Sequence, residues 1–250
     1  MVQLRAFYRN QIGTEYTSDP TELSHEDWSG DDKSTRHGTQ LGYETSVVLR
    51  PTIAGTNGLA TPLNAGGQAV TGKESTMTVS VFVGTSLDGF IARPNDDLDW
   101  LPAGGGEPHG YDEFIASVDA IVIGRKTFEK VLTFGAWPYG DKRVVVLSSR
   151  PVDLSAAGGG VVEQMAGPPA VIVSQLAASG AHHLYVDGGI TIQGFLRAGL
   201  IQRLVITRVP VLIGDGIPLF GTLPGDIRLH HVATRHYPSG LVQSEYLVSP

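Results

Sequence analysis

From Met77 onward, short apolar runs alternate with segments whose apolar residues recur at helical spacing. Thr78-Val79-Ser80-Val81-Phe82-Val83-Gly84 is β-rich and nearly continuous in apolar residues, the pattern of a strand buried on both faces. Tyr111 to Val118 predicts a short helix, Ala120–Gly124 a second strand and Lys126 to Leu132 a helix. Arg143-Val144-Val145-Val146-Leu147-Ser148 predicts a third strand and Gly160–Glu163 a short fourth. A helix is expected from Pro169 to Ser179, because Pro168-Pro169 falls at its start, where proline is tolerated. His183–Val186 predicts another strand, Thr191 to Ala198 a helix stopped by Gly199, and Arg203–Val209 a strand. Ile227–His236 and Leu241–Val248, joined by Pro238-Ser239-Gly240, predict an antiparallel hairpin. This order implies an open, mostly parallel α/β sheet with an antiparallel end.

Residues 1–76 follow no such pattern. They are rich in Ser, Thr, Gly, Asp and Glu, and Ser46-Val47-Val48-Leu49-Arg50 is their one plausible strand, cut off by Pro51. Thr52 to Gly72 has the Gly/Ala/Thr/Asn composition of a linker. The expectation is a disordered extension or a start-site or expression artefact over 1–76, followed by one folded domain over 77–250.

Composition narrows the function. The 250-residue chain carries a formal net charge of −7, which offers no long-range attraction to nucleic acid or anionic membrane. Without cysteine it has no disulfide, thiol nucleophile or cysteine-ligated zinc, which fits a reducing cytoplasm. The adjacent pairs His182-His183 and His230-His231 would point to opposite strand faces, so no metal site is expected. No apolar stretch approaches membrane-spanning length.

The candidate chemistry lies where strands end. Ala120-Ile121-Val122-Ile123 runs into Gly124-Arg125-Lys126-Thr127, and His183-Leu184-Tyr185-Val186 runs into Asp187-Gly188-Gly189-Ile190-Thr191. A strand that ends in glycine and opens a helix leaves backbone N–H groups and a positive helix end facing outward, which favours an anion. Two such junctions on one sheet suit a ligand with several phosphates. Leu147-Ser148-Ser149-Arg150 adds hydroxyls and a guanidinium at another strand end, suited to a ribose 2′-phosphate. Neither G-x-G-x-x-G after a strand nor the P-loop pattern is present, so a dinucleotide site here is of another type. Asp88 follows the first strand as an acid in a turn, and Asp96, Asp97 and Asp99 form a solvated acidic loop beside Trp100.

In this order the segments resemble the dihydrofolate reductase-like superfamily. The nearer resemblance is to the reductase (C-terminal) domain of the bifunctional riboflavin-biosynthesis deaminase-reductase and its stand-alone relatives. Ser86-Leu87-Asp88-Gly89-Phe90-Ile91-Ala92, Leu98-Asp99-Trp100-Leu101, Ile123-Gly124-Arg125-Lys126-Thr127-Phe128-Glu129, Val146-Leu147-Ser148-Ser149-Arg150, Asp187-Gly188-Gly189 and Pro210-Val211-Leu212-Ile213-Gly214-Asp215-Gly216-Ile217-Pro218-Leu219-Phe220 carry it. The resemblance implies a three-layer α/β fold and an NADPH-dependent reductase of a small heterocycle. Reduction of 5-amino-6-(5-phosphoribosylamino)uracil leads, with pterin reduction and a non-catalytic nucleotide-binding protein as alternatives. It implies that Gly124, Arg125, Lys126 and Thr127 meet cofactor phosphates, that Ser148, Ser149 and Arg150 meet the adenosine end, and that Gly188, Gly189, Ile190 and Thr191 meet the pyrophosphate. Asp88 becomes the candidate catalytic acid on the substrate side, with Trp100 beside the substrate. Relatives of this fold often dimerise through the sheet edge or the C-terminal hairpin. Two departures stand out: no deaminase domain is present, and Asp112 or Glu113 lies closer to Gly124 than the pterin-binding acid of dihydrofolate reductases would.

Overall fold

The two strands that end in glycine lie side by side at the centre of an eight-stranded sheet. The computed structural model describes residues 77–102, 108–158 and 160–249; the expected extension over 1–76 and its strand at Ser46–Arg50 lie outside them. The strands are β1 (Thr78–Ser86), β2 (Phe90–Ala92), β3 (Ala120–Gly124), β4 (Arg143–Leu147), β5 (Val162–Met165), β6 (His183–Asp187), β7 (Arg203–Val209), β8 (Ile217–Pro218), β9 (Leu229–His236) and β10 (Val242–Val248). The helices are α1 (Tyr111–Ala116), α2 (Arg125–Leu132), α3 (Pro169–Ala178) and α4 (Gly189–Arg197). The large sheet runs β5-β4-β3-β6-β1-β7-β10-β9, with β2 and β8 forming a separate two-stranded ribbon. Every pair from β5 to β7 is parallel, and the β9–β10 hairpin joins β7 antiparallel through β10. The α/β, mostly parallel architecture with an antiparallel end is therefore present as the sequence predicts.

Alternation along the buried strands divides the core into two layers. Val79, Val81 and Val83 of β1 and Leu184 and Val186 of β6 pack with Ile172 and Leu176 of α3 and with Ile192 and Phe195 of α4. Phe82, Tyr185, Ile121 and Ile123 face the opposite way, toward Phe114 of α1 and Phe128 and Val131 of α2. Strands covered on both faces need apolar side chains at every position, which is why β3 and β4 read as continuous runs rather than alternating ones. The sequence misses β2 and β8, which are three and two residues long and have no period to detect. The fourth predicted strand sits two residues later than expected, because Val144 pairs with Val162.

At the amino ends of the parallel strands, His183 is locked between two elements. Its Nδ1 lies 2.9 Å from the Ser117 carbonyl, so that nitrogen carries the proton, and its Nε2 accepts from the Ser80 hydroxyl at 2.8 Å. Asp119 accepts from the backbone N–H groups of His182 and His183 at 2.7 and 2.8 Å. Burial pushes the His183 pKa below its ordinary value. The Ser117 carbonyl and Asp119 oppose that shift, and Arg203 and Lys142 add to it. A histidine whose folded pKa is depressed favours the folded state in its neutral form. Its contribution is complete above the ordinary value, about 6.5, and is lost as pH falls from there through the lower folded value. We expect the urea midpoint of the native chain to drop more between pH 7.5 and 5 than that of a His183→Gln variant. Parallel curves for the two proteins would show that the imidazole does not titrate with folding.

Candidate functional site

Register brings the two glycine junctions together. Ile123 of β3 pairs with Asp187 of β6, so both strands end at the same level and α2 and α4 start next to each other. Neither helix has a side-chain cap at its N-terminus, so first-turn N–H groups of both stay available. Each junction's glycine is packed by the other junction's threonine. A Cβ on Gly124 would stand 2.8 Å from Thr191 Oγ1, and one on Gly188 would overlap Thr127 Oγ1. Gly188 also has φ +93, a conformation that side chains rarely adopt. The crossed threonines leave their hydroxyls without a protein hydrogen bond among the described residues, facing a groove of ≈ 580 Å³ that Lys126, Lys130 and Ile190 help to line. The β2–β8 ribbon closes one side of this groove: a Cβ on Gly189 would stand 3.0 Å from Ile91 Cδ1 and 3.3 Å from the Pro218 carbonyl.

Of the residues read from sequence, Gly124, Arg125, Lys126, Thr127, Gly188, Gly189, Ile190 and Thr191 all line this one groove. Arg125 is partly engaged, since it pairs with Glu129 one turn along α2. Ser148, Ser149 and Arg150 follow Leu147, which lies in the groove at the end of β4. The Ser148 hydroxyl is used within its own loop, accepting from the Arg150 N–H at 3.1 Å and donating to the Arg150 carbonyl at 2.7 Å. Gln164 braces the same loop from β5, donating to the Ser148 and Arg150 carbonyls at 2.9 and 2.8 Å. The exposed side chains of Ser149 and Arg150 are thus presented by a fixed backbone.

Asp88 stands beyond the end of β1 and is solvent-exposed. Its Oδ2 accepts from the backbone N–H groups of Gly214 at 2.8 Å and Ile213 at 3.1 Å, tying the turn after β1 to the loop after β7. The Ser86 hydroxyl contributes most to holding its pKa below the usual carboxylate value; desolvation opposes it, and the Gly214 and Ile213 N–H groups add smaller lowering effects. Trp100 is 9% exposed and sits in the apolar layer under α1 and α2, with its Nε1–H buried and unpartnered. Asp112 and Glu113 are exposed on α1.

The structure adds polar groups that the sequence did not single out as a set. Asp187, the last residue of β6, is only 3% exposed; its Oδ1 accepts from the Gly188 N–H at 2.8 Å, while Oδ2 is buried without a hydrogen-bond partner. Tyr139 is 4% exposed and its hydroxyl is likewise unpartnered, whereas Tyr185 donates to the Phe82 carbonyl at 2.9 Å. Burial, and then the nearby Asp187 carboxylate, push both phenols well above their ordinary pKa. Only Asp187 carried a sequence signal, a lone acid ending an apolar strand. Tyr139 joins it through tertiary packing, edge-on to Trp137 at 5.1 Å.

Residues 77–243 match the model of the RibD C-terminal domain. The chain belongs to the RibD C-terminal domain family. It is 30% identical over 171 residues to YwjB of Bacillus subtilis, an alignment covering 67% of this chain and 95% of that protein. It is 37% identical to a Shewanella sp. PV-4 protein named for riboflavin biosynthesis, covering 70% of this chain and all of the other, with a TM-score of 0.65. Dihydrofolate reductase from Enterococcus faecalis, solved with NADP(H), shares the fold at 16% identity and a TM-score of 0.51, over 69% of this chain and 97% of the enzyme. The RibD C-terminal match spans both glycine junctions, the Ser148–Arg150 loop and Asp88. Among the described residues no cluster of His, Asp and Glu could hold a metal ion, and no helix is long and apolar enough to cross a membrane.

Proposed function

We propose that this chain is an NADPH-dependent reductase of a small heterocyclic substrate, of the RibD type that acts on 5-amino-6-(5-phosphoribosylamino)uracil. The observation that carries the reading is the crossed pair of junctions, with two uncapped helix starts, two free threonine hydroxyls and glycines where side chains would block the approach. These features fit a pyrophosphate. A Thermotoga maritima deaminase and 5-amino-6-(5-phosphoribosylamino)uracil reductase shares the fold at 16% identity and a TM-score of 0.56, over 70% of this chain and 58% of that one.

Bound NADPH would supply the hydride. Thr127, Thr191 and the first-turn N–H groups of α2 and α4 bind its phosphates, with Lys126 neutralising charge at the groove wall. Ser149 and Arg150 take the adenosine end. The β2–β8 ribbon walls one side of the groove, and hydride transfer would require the reacting carbons to be held near contact distance, roughly 3–3.5 Å. Asp88, ionised and fixed to the loop after β7, orients the water that delivers the proton. The test is loss of nicotinamide absorbance when the chain is mixed with NADPH and a panel of aminopyrimidine and pterin substrates. Cofactor binding with no turnover on any of them would make the protein a nucleotide binder instead.

Arg150 decides the cofactor's 2′-phosphate. Arg125 is already paired with Glu129, whereas Arg150 has no side-chain ion pair among the described residues. Arg150→Ala is expected to weaken NADPH about tenfold more than NADH, as loss of one charge-assisted hydrogen bond would. Arg125→Ala should discriminate less. Titration of both cofactors by nicotinamide fluorescence measures this, and equal losses for NADPH and NADH would remove Arg150 from the 2′-phosphate.

A further inference from the structure

The loop that follows β4 is held by one side chain from the neighbouring strand. Gln164, on β5, donates through Nε2 to the Ser148 and Arg150 carbonyls at 2.9 and 2.8 Å, and its Oε1 accepts from the Val152 N–H at 3.0 Å. The partners settle which end of the amide is which, because two carbonyls need the NH2 group and an N–H needs the oxygen. Both ends of the amide are therefore spent on the backbone of one short stretch. The Ser148 hydroxyl closes the same stretch from inside, accepting from the Arg150 N–H at 3.1 Å and donating to the Arg150 carbonyl at 2.7 Å. Pro151 fixes φ at the next position.

Gln164 is exposed on a strand at the edge of the sheet, where a glutamine ordinarily keeps its rotamer freedom. Here that freedom is given up to fix the backbone of Arg150. Both the N–H and the carbonyl of Arg150 are bound, while its side chain makes no ion pair among the described residues. Leu147, just before the loop, pairs with Gly124 of β3, and both line the cofactor groove. The loop therefore starts level with the glycine junction at the head of α2. A guanidinium meets a phosphate with two parallel bonds only when its planar fork stands in the right place. With the backbone of Arg150 held in advance, binding has to order the side chain alone and not the loop as well.

We infer that Gln164 is a positioning residue for cofactor choice: through the Ser148–Val152 backbone it places the Arg150 guanidinium for the 2′-phosphate, and so favours NADPH over NADH. This rests on the NADPH reading above and deepens it. Two consequences separate it from a brace that only stabilises the fold. Such a brace would affect both cofactors alike, because NADPH and NADH differ only in the 2′-phosphate. A residue that acts through Arg150, moreover, has nothing left to place once that guanidinium is gone. The amide itself is required. A glutamate at this position would keep the bond from the Val152 N–H, but it would set carboxylate oxygens against two carbonyls and offer Arg150 an anion beside its own loop.

The test is a double-mutant cycle on the full chain, read as NADPH and NADH dissociation constants by nicotinamide fluorescence, with the urea midpoint of each protein alongside. Gln164→Met keeps the length of the side chain and removes its hydrogen bonds. It is expected to weaken NADPH about fivefold more than NADH, inside the roughly tenfold expected of Arg150→Ala. In the Arg150→Ala background the same substitution should change the NADPH constant by less than about twofold, while lowering the urea midpoint as much as it does in the native background. Gln164→Glu should cost NADPH at least as much as Gln164→Met, and it supplies the answer should Gln164→Met fail to fold. Equal losses for NADPH and NADH, or a further loss of the same size on top of Arg150→Ala, overturn the inference and leave the reductase reading standing. A native chain that binds neither cofactor overturns both.

Discussion

Gly188→Ala is expected to abolish cofactor binding and to destabilise the fold by about 3 kcal/mol. Two effects combine. The residue sits at φ +93, where a side chain is strained by about 1–3 kcal/mol, and the new methyl would overlap Thr127 Oγ1. Overpacking of this kind costs about 1–3 kcal/mol where the neighbour cannot move freely. Relief comes from turning the Thr127 side chain, which no protein hydrogen bond among the described residues holds, or from shifting the first turn of α2. Either movement carries the Thr127 hydroxyl off the phosphate position. We therefore expect at least a 100-fold loss of NADPH affinity, read by fluorescence titration at a temperature where the variant is still folded. Gly194→Ala is the control for stability alone, since Gly194 also lines the groove. Gly194 lies inside α4, and a methyl added there would meet nothing within 4 Å, so alanine should stabilise the chain by roughly 0.5–1 kcal/mol through helix propensity. A Gly188→Ala protein that bound NADPH normally would remove the crossed junctions from the cofactor site.

The same junction shows which parts of the site a sequence can carry. Apolar runs that stop at Gly124 and Gly188 are local facts, and both the strands and the helices that follow are where the pattern put them. The parallel sheet is legible for a similar reason, since strands covered on both faces have no polar alternation to confuse with a helix face. The crossing of Thr127 with Gly188 and of Thr191 with Gly124 is not legible. It depends on β3 lying next to β6, a pairing between segments some sixty residues apart in the chain that no local pattern encodes. The β2–β8 ribbon fails for want of length: two or three residues cannot show a period, yet the ribbon supplies the wall over Gly189. Tyr139 sits in Trp137-Pro138-Tyr139, a stretch that reads as a loop, and only tertiary packing buries its hydroxyl near Asp187.

Asp88 illustrates both sides of that division, and its substitution is the second large effect expected. As an acid closing a buried strand it stands out in the sequence, but its partners, the N–H groups of Ile213 and Gly214, are 125 and 126 residues away. The carboxylate therefore has two separable duties in the proposed reaction, holding the loop after β7 and supplying negative charge near the substrate. Asp88→Asn keeps one oxygen, which can accept from both N–H groups, and removes the charge. Asp88→Ala removes both. We expect Asp88→Asn to lower kcat about 100-fold with NADPH affinity changed less than threefold, and Asp88→Ala to do the same while also raising KM as the loop loosens. Wild-type turnover after the Asn substitution would reduce Asp88 to a loop tie and pass the proton to another group. The pH profile gives an independent reading. The Ser86 hydroxyl and the two N–H donors hold the Asp88 carboxyl below its ordinary value, so the ionised form persists as pH falls through about 3.9. No inflection in kcat between pH 5 and 8 should therefore trace to Asp88. An inflection in that window that vanished in Asp88→Asn would mean that substrate raises this pKa on binding, and that Asp88 gives up a proton rather than orienting a water.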